Sequence, residues 1–317
     1  LKVAFFGQSG PYAPVALRRL LTASLWERAG AAFEVALVVE GKKRPMGRRD
    51  HRWLKPVGRS GPGGVLPRGQ SLSELALAAA VPVFQSCDVN APQAVKALAA
   101  VPVDVLVCVG FDRLFQAGVL GLPRLAALNA HPSDLPRLRG PAPIFWALKE
   151  GRRELAVTVH TLDALEDHGP WVAKSSFGIP ELATGAEVYS LAGEVAGDLL
   201  NRTLSELQRG TMVAREQPHR EATRAPRARP EDAYVDPAEW TCRDLVNFAC
   251  GAPYFRAPWL RLGEDTFHIR RGLRAVEGRR LPAQFLLQGS ELIVPCRDGV
   301  ACLEVQTLED QLDLSGN

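Results

Sequence analysis

No apolar run in this 317-residue chain reaches the ~20 positions that a membrane-spanning helix requires, so no membrane partner is expected. The opening stretch, Leu1-Lys2-Val3-Ala4-Phe5-Phe6-Gly7, has no cationic lead-in and no cleavage-like small-residue site. It is expected as a first core strand rather than a leader. The six cysteines, Cys87, Cys108, Cys242, Cys250, Cys296 and Cys302, never fall at CxxC spacing. That scatter speaks against a zinc site and for buried thiols in a reducing compartment. A cytoplasmic protein without a metal is the expectation. The turn Gly7-Gln8-Ser9-Gly10 lacks both GxGxxG and a Walker lysine, so it reads as a plain connection and not a phosphate cradle. A G-x-S-x-G elbow is also missing, which removes the usual frame for serine hydrolysis. Repeats and low-complexity segments are absent as well.

Strong net charge is another thing the chain lacks, at +3 overall. Its basic residues are clustered instead. Lys42, Lys43, Arg44, Arg48, Arg49, Arg52 and Lys55 crowd one loop. Arg215, Arg220, Arg224, Arg227 and Arg229 form a second group, and Arg256, Arg261, Arg270, Arg271, Arg274, Arg279 and Arg280 a third. A patchy basic surface on a nearly neutral protein suits a polyanion held at one face. For any one cluster, ordinary solvated arginine is an equally open reading.

The length favours two domains. In the first half, short apolar runs alternate with helical spacing. Val3–Phe6, Phe33–Val39, Val81–Phe84, Val103–Val109 and Leu125–His131 read as strands, and Val15–Leu21, Leu72–Ala79 and Ala91–Leu98 as helices. Such alternation predicts an α/β fold with a doubly wound, mostly parallel sheet. Leu155–Leu162 and Val172–Phe177 read as further strands, and Val188–Leu207 as a long amphipathic helix. Residues 1–208 are the expected catalytic domain. The polar, proline-punctuated stretch 209–237 is the expected basic linker. Residues 238–317, with one helix over Cys242–Ala249 and short strands beyond Trp259, are an expected small β-barrel.

The most informative stretch is Asn129-Ala130-His131-Pro132-Ser133-Asp134-Leu135-Pro136-Arg137-Leu138-Arg139-Gly140. Period-2 geometry puts the Asn129 carboxamide and the His131 imidazole on one face of a strand end. Ligands of doubly wound sheets sit beyond such ends. A carboxamide and an imidazole there can polarise a carbonyl and manage a proton. Taken singly, each has a plainer use, as a structural histidine or a turn-forming asparagine.

The constellation resembles the core of the folate-dependent formyltransferases, whose form is Asn-x-His, then Ser-Leu-Leu-Pro-Arg-x-Arg-Gly, and later Asp-Thr-Gly. Here the last element is Asp167-His168-Gly169, and Asp134 stands where leucine is usual. The resemblance extends over nearly the whole chain and implies an OB-like C-terminal barrel. It implies 10-formyltetrahydrofolate as formyl donor, with no metal, and Asn129, His131 and Asp167 as the catalytic three. A donor slot is implied at Phe111, Arg113 and Leu114, with Asp163, Ala164 and Leu165 as its opposite wall. Glu40-Gly41-Lys42-Lys43-Arg44-Pro45-Met46-Gly47-Arg48-Arg49 resembles the loop that meets the acceptor end of tRNA in the tRNA-acting branch. Together with Pro141–Leu148, it implies initiator methionyl-tRNA as partner and a monomeric enzyme. Lys42, Lys43, Arg44, Arg48, Arg49, Ser133, Pro136, Arg137, Arg139 and Gly140 are then the acceptor-side residues. Trp53 is either a stacking platform or a half-buried aromatic. Sibling activities stay open: a 10-formyltetrahydrofolate hydrolase, flavoured by Gly7-Gln8-Ser9 and Leu308-Glu309-Asp310, or a sugar-nucleotide N-formyltransferase. A non-catalytic RNA- or folate-binding protein is the alternative of another class.

Overall fold

Val103–Val109 is buried at every one of its positions, a pattern that suits a strand covered on both faces. In the computed structural model, which describes residues 1–26, 32–43, 50–56 and 71–306, this run is the middle of a sheet. The first half of the chain contributes β1 (Lys2–Gly7), α1 (Ala13–Trp26), β2 (Glu34–Gly41), β3 (His51–Leu54), α2 (Leu72–Ala78), β4 (Val83–Ser86), α3 (Pro92–Ala99), β5 (Val103–Val109), α4 (Ala117–Leu120) and β6 (Pro123–His131). Then come α5 (Pro143–Lys149), β7 (Glu154–Thr161), β8 (Trp171–Gly178) and α6 (Gly185–Gln208).

The sheet order is β3-β4-β2-β1-β5-β6-β7-β8. Strands β4, β2, β1, β5 and β6 are parallel, while β3 and β7 pair antiparallel to their neighbours. Strand order therefore reverses between β1 and β5, and ligands of such sheets bind beyond the carboxyl ends near that point. Local sequence explains the helix starts. Ser71 and Glu74 form a reciprocal capping box on α2, and Pro92 opens α3. Phe6, Phe84, Leu106, Phe115 and Val119 close the core on one face of the sheet.

The chain divides into two compact units. The first comprises Leu1–Pro141, Ala156–Phe177 and Tyr189–Arg224, and the second Ala142–Leu155, Gly178–Val188 and Ala225–Asn317. The stretch 209–237, expected as a linker, is thus shared between them at Arg224 and Ala225. The second unit adds α7 (Cys242–Gly251), β9 (Trp259–Leu262), β10 (Asp265–Glu277), β11 (Leu286–Gln288), β12 (Glu291–Pro295) and β13 (Gly299–Val305). Its sheet, β11-β12-β13-β10-β9, is antiparallel and curls as an OB-like half-barrel. Thr241 caps α7, and Phe248 on α7 meets Phe145 on α5 edge to face at 5.6 Å.

Three elements exceed what the sequence pattern predicts. β10 runs on to Glu277 because register shifts at Ile269/Arg271 and Gly272/Arg274 break the two-residue alternation. β3 is a short edge strand in a polar stretch, where Trp53, 37% exposed, packs one side of its ring on Phe84 at 4.9 Å. β6 begins at Pro123, earlier than Leu125, and Leu125 itself is exposed.

Candidate active site

Strand β6 delivers its polar pair between β5 and β7. Asn129 lies opposite Cys108 on β5 and His160 on β7, and His131 lies opposite Thr158. All of these side chains are buried. The loop after β7 then brings Asp167 back to the same spot. Its carboxylate oxygen Oδ1 accepts from Asn129 Nδ2 at 3.2 Å, and Oδ2 lies 3.5 Å from His131 Nδ1. Oδ2 also accepts the Gly140 N–H at 2.8 Å. The carboxamide, imidazole and carboxylate therefore converge.

Hydrogen-bond chemistry assigns the tautomers. His131 Nε2 is 3.0 Å from the Leu138 carbonyl, which only accepts, so Nε2 carries its hydrogen and Nδ1 is left for proton exchange. His160 Nδ1 faces the Thr161 carbonyl at 2.9 Å, so its Nε2 accepts from Asn129 Nδ2 at 3.1 Å. Turning the Asn129 amide over would set its oxygen against a carboxylate, so its nitrogen must face Asp167. Burial alone pushes the Asp167 carboxyl up. The His131 and His160 imidazoles, when protonated, and the Gly140 N–H outweigh it and hold the group well below the ordinary carboxylate range.

The loop geometry depends on particular residues. Asp167 has φ +49°, in the left-handed region. At Gly169 a Cβ would come within 2.0 Å of the Thr161 carbonyl oxygen, so the Asp-x-Gly turn requires glycine there. Gln217, 3% exposed, donates from Nε2 to the carbonyls of Asp167 (3.0 Å) and Gly169 (2.7 Å). Arg139 Nε donates to Gln217 Oε1 at 3.2 Å, and Arg139 Nη2 reaches His219 Nδ1 at 2.9 Å. Arg224 pairs with Glu166. His168, standing where the family usually has threonine, bonds Asp163 at 2.7 Å and stacks on His219 at 4.2 Å.

The remaining expected site residues fall into several settings. Ser133 is fully buried and donates to the Arg137 carbonyl at 2.8 Å, so it holds the loop's shape. Pro136 follows a cis peptide bond and is buried, Gly140 is buried with φ +114°, Arg137 is exposed and Arg139 is half-buried. Phe111 packs edge-on against Phe6 (6.1 Å) and at a tilt on Phe115 (5.2 Å), while Arg113 and Leu114 are exposed. Asp163 accepts the Leu165 N–H at 2.8 Å, and Ala164 and Leu165 are exposed. Lys42 pairs with Glu40 at 2.9 Å, and Lys43 is exposed. Arg44, Arg48 and Arg49 lie outside the described residues. Asp134 pairs with Lys174 at 2.7 Å on the surface. No cluster of metal-binding side chains occurs among the described residues. Among them, too, no helix is long and apolar enough to cross a membrane.

His160 and Gln217 escaped the sequence reading. His160 carried a usable signal: in Val157-Thr158-Val159-His160 the polar side chains alternate with apolar ones, so Thr158 and His160 share a face with the β6 pair. Gln217 carried none, being one amide among exposed prolines and arginines.

A carboxamide, an imidazole and a carboxylate at the carboxyl edge of a doubly wound sheet suit group transfer of the kind that formyl transferases carry out. The chain belongs to that family: the model described as "Formyl transferase" matches residues 2–204. Its relatives include the methionyl-tRNA formyltransferase of Acidobacterium capsulatum, 31% identical over 281 residues, spanning 88% of this chain and 85% of the relative. Among solved structures, the fold is shared with methionyl-tRNA formyltransferase from Clostridium thermocellum (TM-score 0.56, 11% identity, 96% of this chain, 99% of that one). It is shared as well with an N-formyltransferase from Helicobacter canadensis, solved with folinic acid and dTDP-3-aminofucose (TM-score 0.62, 13% identity, 97% and 100%).

Proposed function

We propose that this enzyme moves a formyl group from 10-formyltetrahydrofolate to the α-amine of methionine on initiator tRNA. The observation that carries the chemistry is the meeting of Asn129, His131 and Asp167 within 3.5 Å. The donor supplies the formyl carbon. As the amine attacks that carbon, negative charge grows on the formyl oxygen, and Asn129 stabilises it. Its two present acceptors, Asp167 Oδ1 and His160 Nε2, lie 3.5 Å apart. They subtend about 67° at the amide nitrogen, less than the ~120° between its N–H bonds. One N–H directed between them serves both, and the other is then free for a ligand oxygen. His131 Nδ1 takes the proton that the amine loses and passes it to the departing folate nitrogen as the old C–N bond breaks. Once Nδ1 carries that proton, Asp167 Oδ2, 3.5 Å away, balances its charge while the proton is held.

The donor-slot reading is supported by two large apolar side chains left exposed, Leu114 at 56% and Leu165 at 58%, which an apolar ligand body could cover. The acceptor reading rests on the tRNA-acting relatives and on the basic run from Lys42 to Arg49. We read residues 1–208 as catalytic and 238–317 as a supporting domain of a cytoplasmic monomer.

The test offers purified protein and 10-formyltetrahydrofolate to charged initiator tRNA, to an amino-sugar nucleotide and to water. Formylmethionyl-tRNA as the dominant product supports the reading. Turnover with the sugar nucleotide or water, and none with tRNA, overturns the acceptor assignment.

A further inference from the structure

We infer that Gln217 is a positioning residue for Asp167, acting through the main chain of the Asp-x-Gly turn. The inference rests on the reading of Asp167 as part of the reacting group.

Gln217 sits in a stretch whose neighbours Glu216, Pro218 and His219 are exposed, yet its own side chain is 3% exposed. Burying a carboxamide is costly unless its polar atoms are paired. Here the pairing goes to one place. Both described acceptors of Nε2 are carbonyls of the catalytic turn, those of Asp167 and Gly169. Oε1 accepts from the Arg139 guanidinium, and the next residue, Gly140, donates its N–H to Asp167 Oδ2. A closed circuit results: carboxylate to Gly140, Arg139 to Gln217, Gln217 back to the Asp167 backbone.

That circuit answers a specific need. Asp167 adopts φ +49°, a conformation that a side-chain-bearing residue keeps only when its surroundings impose it. Two hydrogen bonds flanking the turn, one on Asp167 itself and one two residues on, impose it. The carboxylate is then held against His131 and Asn129 without help from bound substrate. A segment distant in sequence, beyond residues 2–204 that the family model matches, thereby fixes the reacting geometry.

The discriminating variant is Gln217→Glu. It keeps the shape and the Arg139 partner but loses both donors and sets charge against two carbonyls. Displacement of reacting groups by about 1 Å typically costs on the order of 100-fold. The expected result is a 10- to 100-fold lower kcat, roughly as for such a displacement, with KM for 10-formyltetrahydrofolate changed less than about threefold. The decisive comparison places Gln217→Glu in an Asp167→Asn background. If Gln217 works through Asp167, the second substitution there costs no more than about twofold, because effects that act through one group do not multiply. A full further loss in that background, or a near-normal kcat for Gln217→Glu alone, overturns the proposal. Gln217→Asn, which keeps the amide but shortens its reach, carries the same comparison if the glutamate variant does not fold. A near-normal rate for Asp167→Asn alone instead sinks the catalytic reading itself, so the two failures are distinct.

Discussion

Replacing Gly169 by alanine would place a methyl carbon 2.0 Å from the Thr161 carbonyl oxygen, with the Thr161 hydroxyl at 2.8 Å. Ordinary contact begins near 3.4 Å, so the turn or the end of β7 must shift by about 1.4 Å to accept it. β7 is paired to β6 and cannot move without dragging the registered His160–Asn129 pair, so the turn gives way. Asp167 lies two residues back. A displacement of ~1 Å in a reacting group costs on the order of 100-fold, equivalent to about 2.7 kcal/mol in transition-state stabilisation. The expected outcome for Gly169→Ala is therefore a kcat about 100-fold lower, with folate affinity largely retained and a cooperative melt still present. Formyl transfer under saturating donor and acceptor, alongside donor binding by fluorescence titration, separates these effects. A variant that folds and transfers formyl groups within about threefold of the parent would refute the claim that this turn fixes the carboxylate.

Asn129→Ala removes the donor assigned to the developing oxyanion and is expected to lower kcat by about 100- to 1000-fold, measured by initial rates with donor KM as the control. The Asp167 carboxyl, held below its ordinary range, contributes stability that is present above the unfolded value of ~3.9 and lost as pH falls through the folded one. Relative to Asp167→Asn, the parent's Tm should thus fall on acidification below about pH 4; an offset that does not change on acidification below about pH 4 would contradict the assignment. Charge reversal by Arg48→Glu with Arg49→Glu should raise KM for charged tRNA at least about tenfold and leave donor KM unchanged, with a steeper salt dependence in the parent. Equal losses for both substrates would remove this loop from the acceptor side.

Most of the catalytic unit's outline was legible in the sequence because its strands are buried on both faces and read as apolar runs, as Val103–Val109 does. Asn129 and His131 were legible through strand periodicity, and Asp167 through resemblance to the family's Asp-x-Gly. What escaped has physical reasons. The continuation of β10 beyond Arg270 hid behind two register shifts that break its alternation. The Pro143–Lys149 helix was read only as a family marker, though Phe145 on it packs against Phe248, about a hundred residues onward. Gln217 carries no local pattern at all; its importance exists only in the pairing with a turn far away in the chain. Ser133, read as an acceptor contact, commits its hydroxyl to the Arg137 carbonyl, an Oγ bond that no spacing rule announces. His168 and its stacking partner His219 likewise meet through folding rather than through sequence proximity.

In the proposed reaction Asn129, His131 and Asp167 work as one device. Single-turnover formyl transfer by His131→Ala, by Asp167→Asn and by the double variant measures this directly. Each single substitution should slow the step by at least about 100-fold, and the double variant should be slower than the worse single by no more than about threefold. Losses that multiply in the double variant, or near-parental rates in either single, would contradict it.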